Sequence, residues 1–138
     1  MNVRLLSLSL IAATGLAGCG ASEPPAPPPP APTEVAAGKT PPPQYPLELA
    51  CMGVGGTSTF KVTIGTDGEP SEVALLTGAG NPQLDELAKT AVQGWQFNAA
   101  TRNGQPVPAT IQVPVSFNPP QPKPDQCFAI EERLRRGG

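Results

Sequence analysis

Residues 57–95, TSTFKVTIGTDGEPSEVALLTGAGNPQLDELAKTAVQGW, decide the fold. Over residues 57–64, Phe60, Val62 and Ile64 fall on one side of an extended chain, and Thr59, Lys61 and Thr63 fall on the other. Period two with branched and aromatic residues predicts a half-buried strand. Gly65-Thr66-Asp67-Gly68 then supplies turn residues. Residues 71–77 follow as a second strand, with Val73 and Leu75 facing one way, so the two strands make a hairpin. Asn81-Pro82 opens a helix, because Asn caps free N–H groups and Pro at the first helical position has no helical N–H to lose. Leu84, Leu87, Ala88, Ala91, Val92 and Trp95 recur at three-and-four spacing as one apolar stripe. Asp85 sits near the positive end of the helix dipole and within reach of Lys89, and Gly94 marks the helix end.

Further along the chain, Thr101-Arg102-Asn103-Gly104 reads as a turn and residues 110–117 as a third strand. Ile111, Val113, Val115 and Phe117 alternate there with Gln112, Pro114 and Ser116. Proline cannot donate to a ladder, so this strand belongs at an edge with the Pro114 nitrogen facing outward. Backbone N–H groups alternate in direction along a strand, so Gln112 and Ser116 share that outer side. The predicted fold is α+β: a small three-stranded antiparallel sheet packed on one main helix, in the order β-β-α-β.

A chain of 138 residues is long enough for one such domain. Its twenty prolines are unevenly spread: eleven lie from Pro24 to Pro46 and four from Pro119 to Pro124. This predicts a folded centre between two unfolded flanks. The divisions are 1–18 as a leader, 19–43 as an anchor and Pro-rich linker, 44–118 as the domain, and 119–138 as a Pro-containing tail. Nine basic against eleven acidic residues leave no basic patch for nucleic acid. The chain has no histidine, the usual general base and metal ligand. It has no nucleophile elbow or phosphate loop either. Asp85 and Glu86 adjoin at a helix start and read as dipole-stabilising carboxylates rather than a catalytic dyad. The expectation is a protein that is not an enzyme and takes no cofactor or metal.

The leader has Arg4 and then an apolar run from Leu5 to Leu16. That run is shorter than the roughly twenty residues a membrane-crossing helix needs, and it reads as a secretory signal. Leu16-Ala17-Gly18-Cys19 resembles the lipobox of bacterial lipoproteins. The resemblance implies that the Cys19 thiol carries diacylglycerol and that cleavage leaves Cys19 first in the chain. Several acyl chains on one residue anchor stably. Gly20 stands where an inner-membrane retention signal commonly has aspartate, so the resemblance favours the outer membrane over the inner. Residues 21–43, with Pro27 through Pro30 in a row, read as a polyproline II spacer that holds the domain off the membrane. A proline-rich ligand for a partner is the alternative.

With Cys19 acylated, Cys51 and Cys127 remain as a pair flanking the core in an oxidising compartment. A bridge between them would contribute about 4 kcal/mol to a core that is otherwise marginal. Two separate thiols are the alternative.

Gln44-Tyr45-Pro46, Phe60-Lys61-Val62, Asp67-Gly68, Leu84-Asp85, Ala91-Val92, Trp95-Gln96-Phe97, Asn103-Gly104 and Val113-Pro114-Val115-Ser116-Phe117 follow one another over residues 44–117. In that order and spacing they resemble the C-terminal domain of TonB. In that family an inner-membrane transducer grips the TonB box of an outer-membrane receptor, which adds as a strand to the sheet edge. The resemblance makes Gln44, Tyr45 and Pro46 partner-binding positions, although Tyr45 reads equally as a side chain packed under the sheet. Gln112, Pro114 and Ser116 mark the docking edge. Energised members carry a transmembrane helix that couples to ExbB and ExbD, and their spacer has charged Glu-Pro and Lys-Pro repeats. Here the leader is too short for such a helix, the stalk is Ala/Pro, and Asn98-Ala99 follow Phe97 where proline is common.

The implied function is a periplasm-facing lipoprotein that binds extended TonB-box-like segments in TonB-dependent transmembrane transport. The implied partner is a TonB-dependent outer-membrane receptor or another envelope protein, with a homodimer left open. The competing reading is a structural envelope lipoprotein, using the fold for protein assembly or cell-wall contact without energy transduction.

Overall fold

The hairpin forms as its sequence demands, and the rest of the chain is arranged around it. The computed structural model describes Gly18, Gly20 and residues 22–137. In chain order the elements are β1 (Ala36–Lys39), α1 (Leu47–Cys51), β2 (Gly56–Ile64), β3 (Pro70–Thr77) and α2 (Pro82–Gln93). Then come β4 (Gln96–Asn98), β5 (Ala100–Arg102), β6 (Gln105–Val107), β7 (Ala109–Phe117) and α3 (Gln126–Gly137). β2 is the middle of a three-stranded antiparallel sheet of order β3-β2-β7. β1 pairs with β4, and β5 with β6, as separate two-stranded ribbons. The fold is α+β.

The alternation in β2 is realised: Phe60, Val62 and Ile64 are fully buried. They share one cluster with Val113, Val115 and Phe117 of β7 and with Leu84, Ala88 and Val92 of α2. Each large side chain buried there stabilises the fold by about 1.5–3 kcal/mol. Val73 packs against this cluster, whereas Leu75, on the same face of β3, stays 47% exposed. Asn81 caps α2 by accepting from the Gln83 and Leu84 N–H groups, with Pro82 at the first helical position and Gly94 at the C-cap. Asn103 and Gly104 both have positive φ, 52° and 75°, the geometry of a primed turn that suits two-residue hairpins, and they close β5 on β6.

Asp85 departs from its expected role. It is not paired with Lys89: its Oδ1 accepts from the Ser58 hydroxyl and the Ala79 N–H, each at 2.7 Å. Ser58 is completely buried in β2, so this carboxylate ties the loop before α2 to the central strand.

Both flanks are more ordered than proline content suggests. Residues 22–32 carry no regular element, but Thr33 bridges Thr101 and β1 pairs with β4. The tail, expected to be unfolded, contains α3. Cys127 and Ile130, three residues apart on one helical face, are buried beside Cys51 of α1, and a disulfide joins Cys51 to Cys127. Glu132 pairs with Arg135 at 3.1 Å and Arg136 at 2.8 Å, and Lys123 pairs with Glu131. The leader run and Cys19 lie outside the described residues. Among the described residues no helix is long and apolar enough to cross a membrane.

Candidate functional site

β7 is nine residues long and ends the three-stranded sheet. Its inward residues Val113, Val115 and Phe117 are buried, and Gln112, Pro114 and Ser116 are exposed. Pro114 stands opposite Thr59, Gln112 opposite Lys61 and Ser116 opposite Thr57 in the register with β2. The Ser116 and Thr57 hydroxyls lie 2.9 Å apart, so Ser116 is fastened across the pair on the open face of the sheet. A proline costs nothing on the free side of an edge strand, where no ladder bond is required of it, and the register accommodates it without a bulge.

The Gln44-Tyr45-Pro46 segment meets the end of this strand. Tyr45 sets its ring edge-on to Phe117, with centroids 5.3 Å apart and planes at 65°. Its hydroxyl donates to the Val54 carbonyl at 2.6 Å. Desolvation by burial pushes the Tyr45 phenol above its ordinary value of 10.0. Tyr45 thus packs against the core while keeping part of its ring at the surface, Gln44 is exposed and Pro46 is half-buried. The segment and β7 therefore join at Tyr45 and Phe117, whereas Gln112 lies toward the other end of the strand.

Away from this edge a concavity of about 720 Å³ opens beside Trp95 between the end of β1 and the start of β3, with Lys39 and Glu69 among its lining residues. The Trp95 Nε1–H donates to the Pro41 carbonyl at 2.8 Å. Sequence reasoning placed Trp95 on the helical stripe and missed this bond. A tryptophan directly after a helix-ending Gly94 was the available signal. No group of three or more His, Cys, Asp or Glu side chains among the described residues is placed to hold a metal ion.

Residues 41–119 match the family described as Gram-negative bacterial TonB protein C-terminal. The chain is 36% identical over 76 residues to Protein TonB of Xanthomonas campestris pv. campestris, a match covering 55% of this chain and 34% of that protein. It is 34% identical over 77 residues to Protein tonB2 of Pseudomonas aeruginosa, covering 56% of this chain and 28% of that protein. The chain thus spans about a third of the length of these relatives. A solution NMR structure of the Pseudomonas aeruginosa TonB CTD aligns with a TM-score of 0.49 at 21% identity, over 66% of this chain and 90% of that one.

Proposed function

The chain belongs to the Gram-negative bacterial TonB protein C-terminal family, and from that premise we propose that it is a periplasm-facing lipoprotein whose β7 edge accepts an extended peptide of an outer-membrane transport protein. The observation that carries the proposal is the placement of β7: it is long, ends the sheet, and has Tyr45 packed against its last residue. An arriving strand gains affinity from backbone pairing along such an edge and selectivity from the side chains beside it. The partner is a TonB-dependent receptor offering a TonB-box-like segment, with Gln44 and Pro46 as contacts near the end of the strand. Anchoring falls to acyl chains on Cys19, and Gly20 in place of a retention aspartate favours the outer membrane over the inner.

On this reading Gln112 and Ser116 offer donors to the peptide with a gap at Pro114. One absent bond of about 1 kcal/mol weakens docking several-fold without preventing it. Titration of a TonB-box peptide tests the edge directly. Pro114→Val should tighten binding several-fold and promote self-association of the exposed edge in light scattering. Gln112→Pro or Ser116→Pro should weaken binding. Equal affinity and unchanged association across the three variants would remove β7 as the docking surface. A pull-down from envelope extracts separates the two functional classes: receptors among the captured proteins support transport, and assembly factors or peptidoglycan support the structural role.

A further inference from the structure

The family match begins at residue 41, yet the chain is bound to the domain from Pro30 onward. Pro30 lies against Gly104, where a Cβ would come within 3.2 Å of its Cγ. Thr33 and Thr101 exchange two backbone hydrogen bonds of 3.0 Å, and their hydroxyls lie 2.7 Å apart. Val35 packs half-buried against the core. Ala36, Ala37 and Lys39 pair with Asn98, Phe97 and Gln96, and Gly38 is the extra residue at the bulge. A Cβ on Gly38 would stand 2.6 Å from the Gln96 carbonyl oxygen, so only glycine lets the two backbones approach this closely. The Pro41 carbonyl then takes the Trp95 indole N–H. Four residues on, Tyr45 is fixed by Val54 and Phe117.

These attachments are numerous but shallow. All four residues of β1 are exposed, and no ion pair among the described residues reaches the segment. Backbone bonds that face solvent, with few apolar contacts beneath them, open at lower free energy than a core. We propose that residues 30–41 form a releasable strap that gives the domain two tether lengths. Docked, the free tether ends at Pro30. Released, it gains residues 30–44, about 47 Å at roughly 3.1 Å per extended residue. Tension from the N-terminal side peels Thr33 from Thr101 first, then β1 from β4, then Pro41 from Trp95. Peeling stops at Tyr45, which is held in the core. The consequence for reach rests on the anchor at Cys19, but the opening of the strap does not.

Hydrogen exchange on the complete, oxidised chain tests the strap. Hydrogen-bonded amides of residues 33–39 should exchange roughly 100-fold faster than those of β2, the central strand, as a sub-global opening requires. Gly38→Val should abolish protection in the strap, leave the sheet protected, and shift the emission of Trp95, the sole tryptophan, to the red. Val35→Ser should act in the same direction. Cys19 is acylated on the proposed reading, so a dye on a cysteine introduced by Ser22→Cys, in the free tether, reports distance to Trp95. Energy transfer should fall in both variants. Strap amides that exchange only as fast as the sheet, or loss of sheet protection in both variants, would overturn the proposal by making the strap part of the core. Unchanged strap protection and transfer in both variants would overturn it as well. Palmitate labelling of Cys19 is read separately, so failure of the anchor leaves the exchange result standing.

Discussion

Removing the Asp85 carboxylate should cost this domain about 3 kcal/mol, far more than a surface carboxylate in a first helical turn is worth. Its Oδ1 accepts from Ser58 Oγ and from Ala79 N, both at 2.7 Å. Hydrogen bonds to an ionised acceptor contribute about 1.5–3 kcal/mol each. Asp85→Ala loses both, and it strands the hydroxyl of Ser58, which has no solvent access. Ala79 is half-buried, so its N–H can turn to water, which pulls the total down toward 3 kcal/mol. In a domain of this size that lowers the melting temperature by about 12–24 °C. Ser58→Ala alone should cost about 1–2 kcal/mol, and the double mutant should cost less than the sum, with a coupling of about 1 kcal/mol. Urea titration of the wild type, both single mutants and the double mutant, all oxidised, closes the cycle. A cost below about 1 kcal/mol for Asp85→Ala, or a coupling within about 0.3–0.5 kcal/mol of zero, would refute the reasoning and return Asp85 to the helix-dipole role.

Three further outcomes are expected. The disulfide spans 76 positions of the chain, and closing a loop of that size is worth about 4–5 kcal/mol. Replacing Cys51 and Cys127 by serine should therefore lower the melting temperature by about 15 °C or more, and two maleimide-reactive thiols in that pair in the denatured, non-reduced protein would rule the bridge out. Cys19→Ala should abolish palmitate labelling and leave the leader in place, and unchanged labelling and processing would end the lipoprotein reading. Tyr45 holds its proton to higher pH in the folded state than in the unfolded one, so stability is intact below about pH 10 and falls as pH rises through the folded value. Tyr45→Phe should remove that alkaline loss and cost about 1 kcal/mol at neutral pH, measured by denaturation across the pH range. An identical alkaline slope in the variant would assign the effect to another group.

The features legible in the sequence were those in which one local rule governs several residues at once. Strict alternation from Phe60 to Ile64, the Asn81-Pro82 start with Gly94 at the end, and Asn103-Gly104 at positive φ each follow from backbone chemistry close by in sequence. β1 was invisible because Ala-Ala-Gly-Lys has neither alternation nor branched side chains, and its strand geometry comes wholly from β4. α3 carried a readable signal in the Cys127 and Ile130 spacing and in Glu132 four residues before Arg136, but the prolines just ahead of it dominated the reading. Ser58 shares the inward parity of Phe60, Val62 and Ile64, so its burial follows the same alternation. Its partner Asp85, twenty-seven residues away, was not legible, because only the folded loop brings the two together. At the candidate site, the edge position of β7 was legible through Pro114, while the packing of Tyr45 against Phe117 was one of two readings that the sequence left open.

The cross-link between α1 and α3 has a consequence for how such a chain is made. A core of this size without its staple is marginal. Cytosolic thiols stay reduced, so the staple closes only beyond the inner membrane. On the exported reading, the newly made chain is then at its loosest while it must still be threaded through a membrane channel. It becomes rigid on reaching the compartment where it works. Stability arrives by location, and a mislocalised copy retained in the cytoplasm is the one most open to proteases.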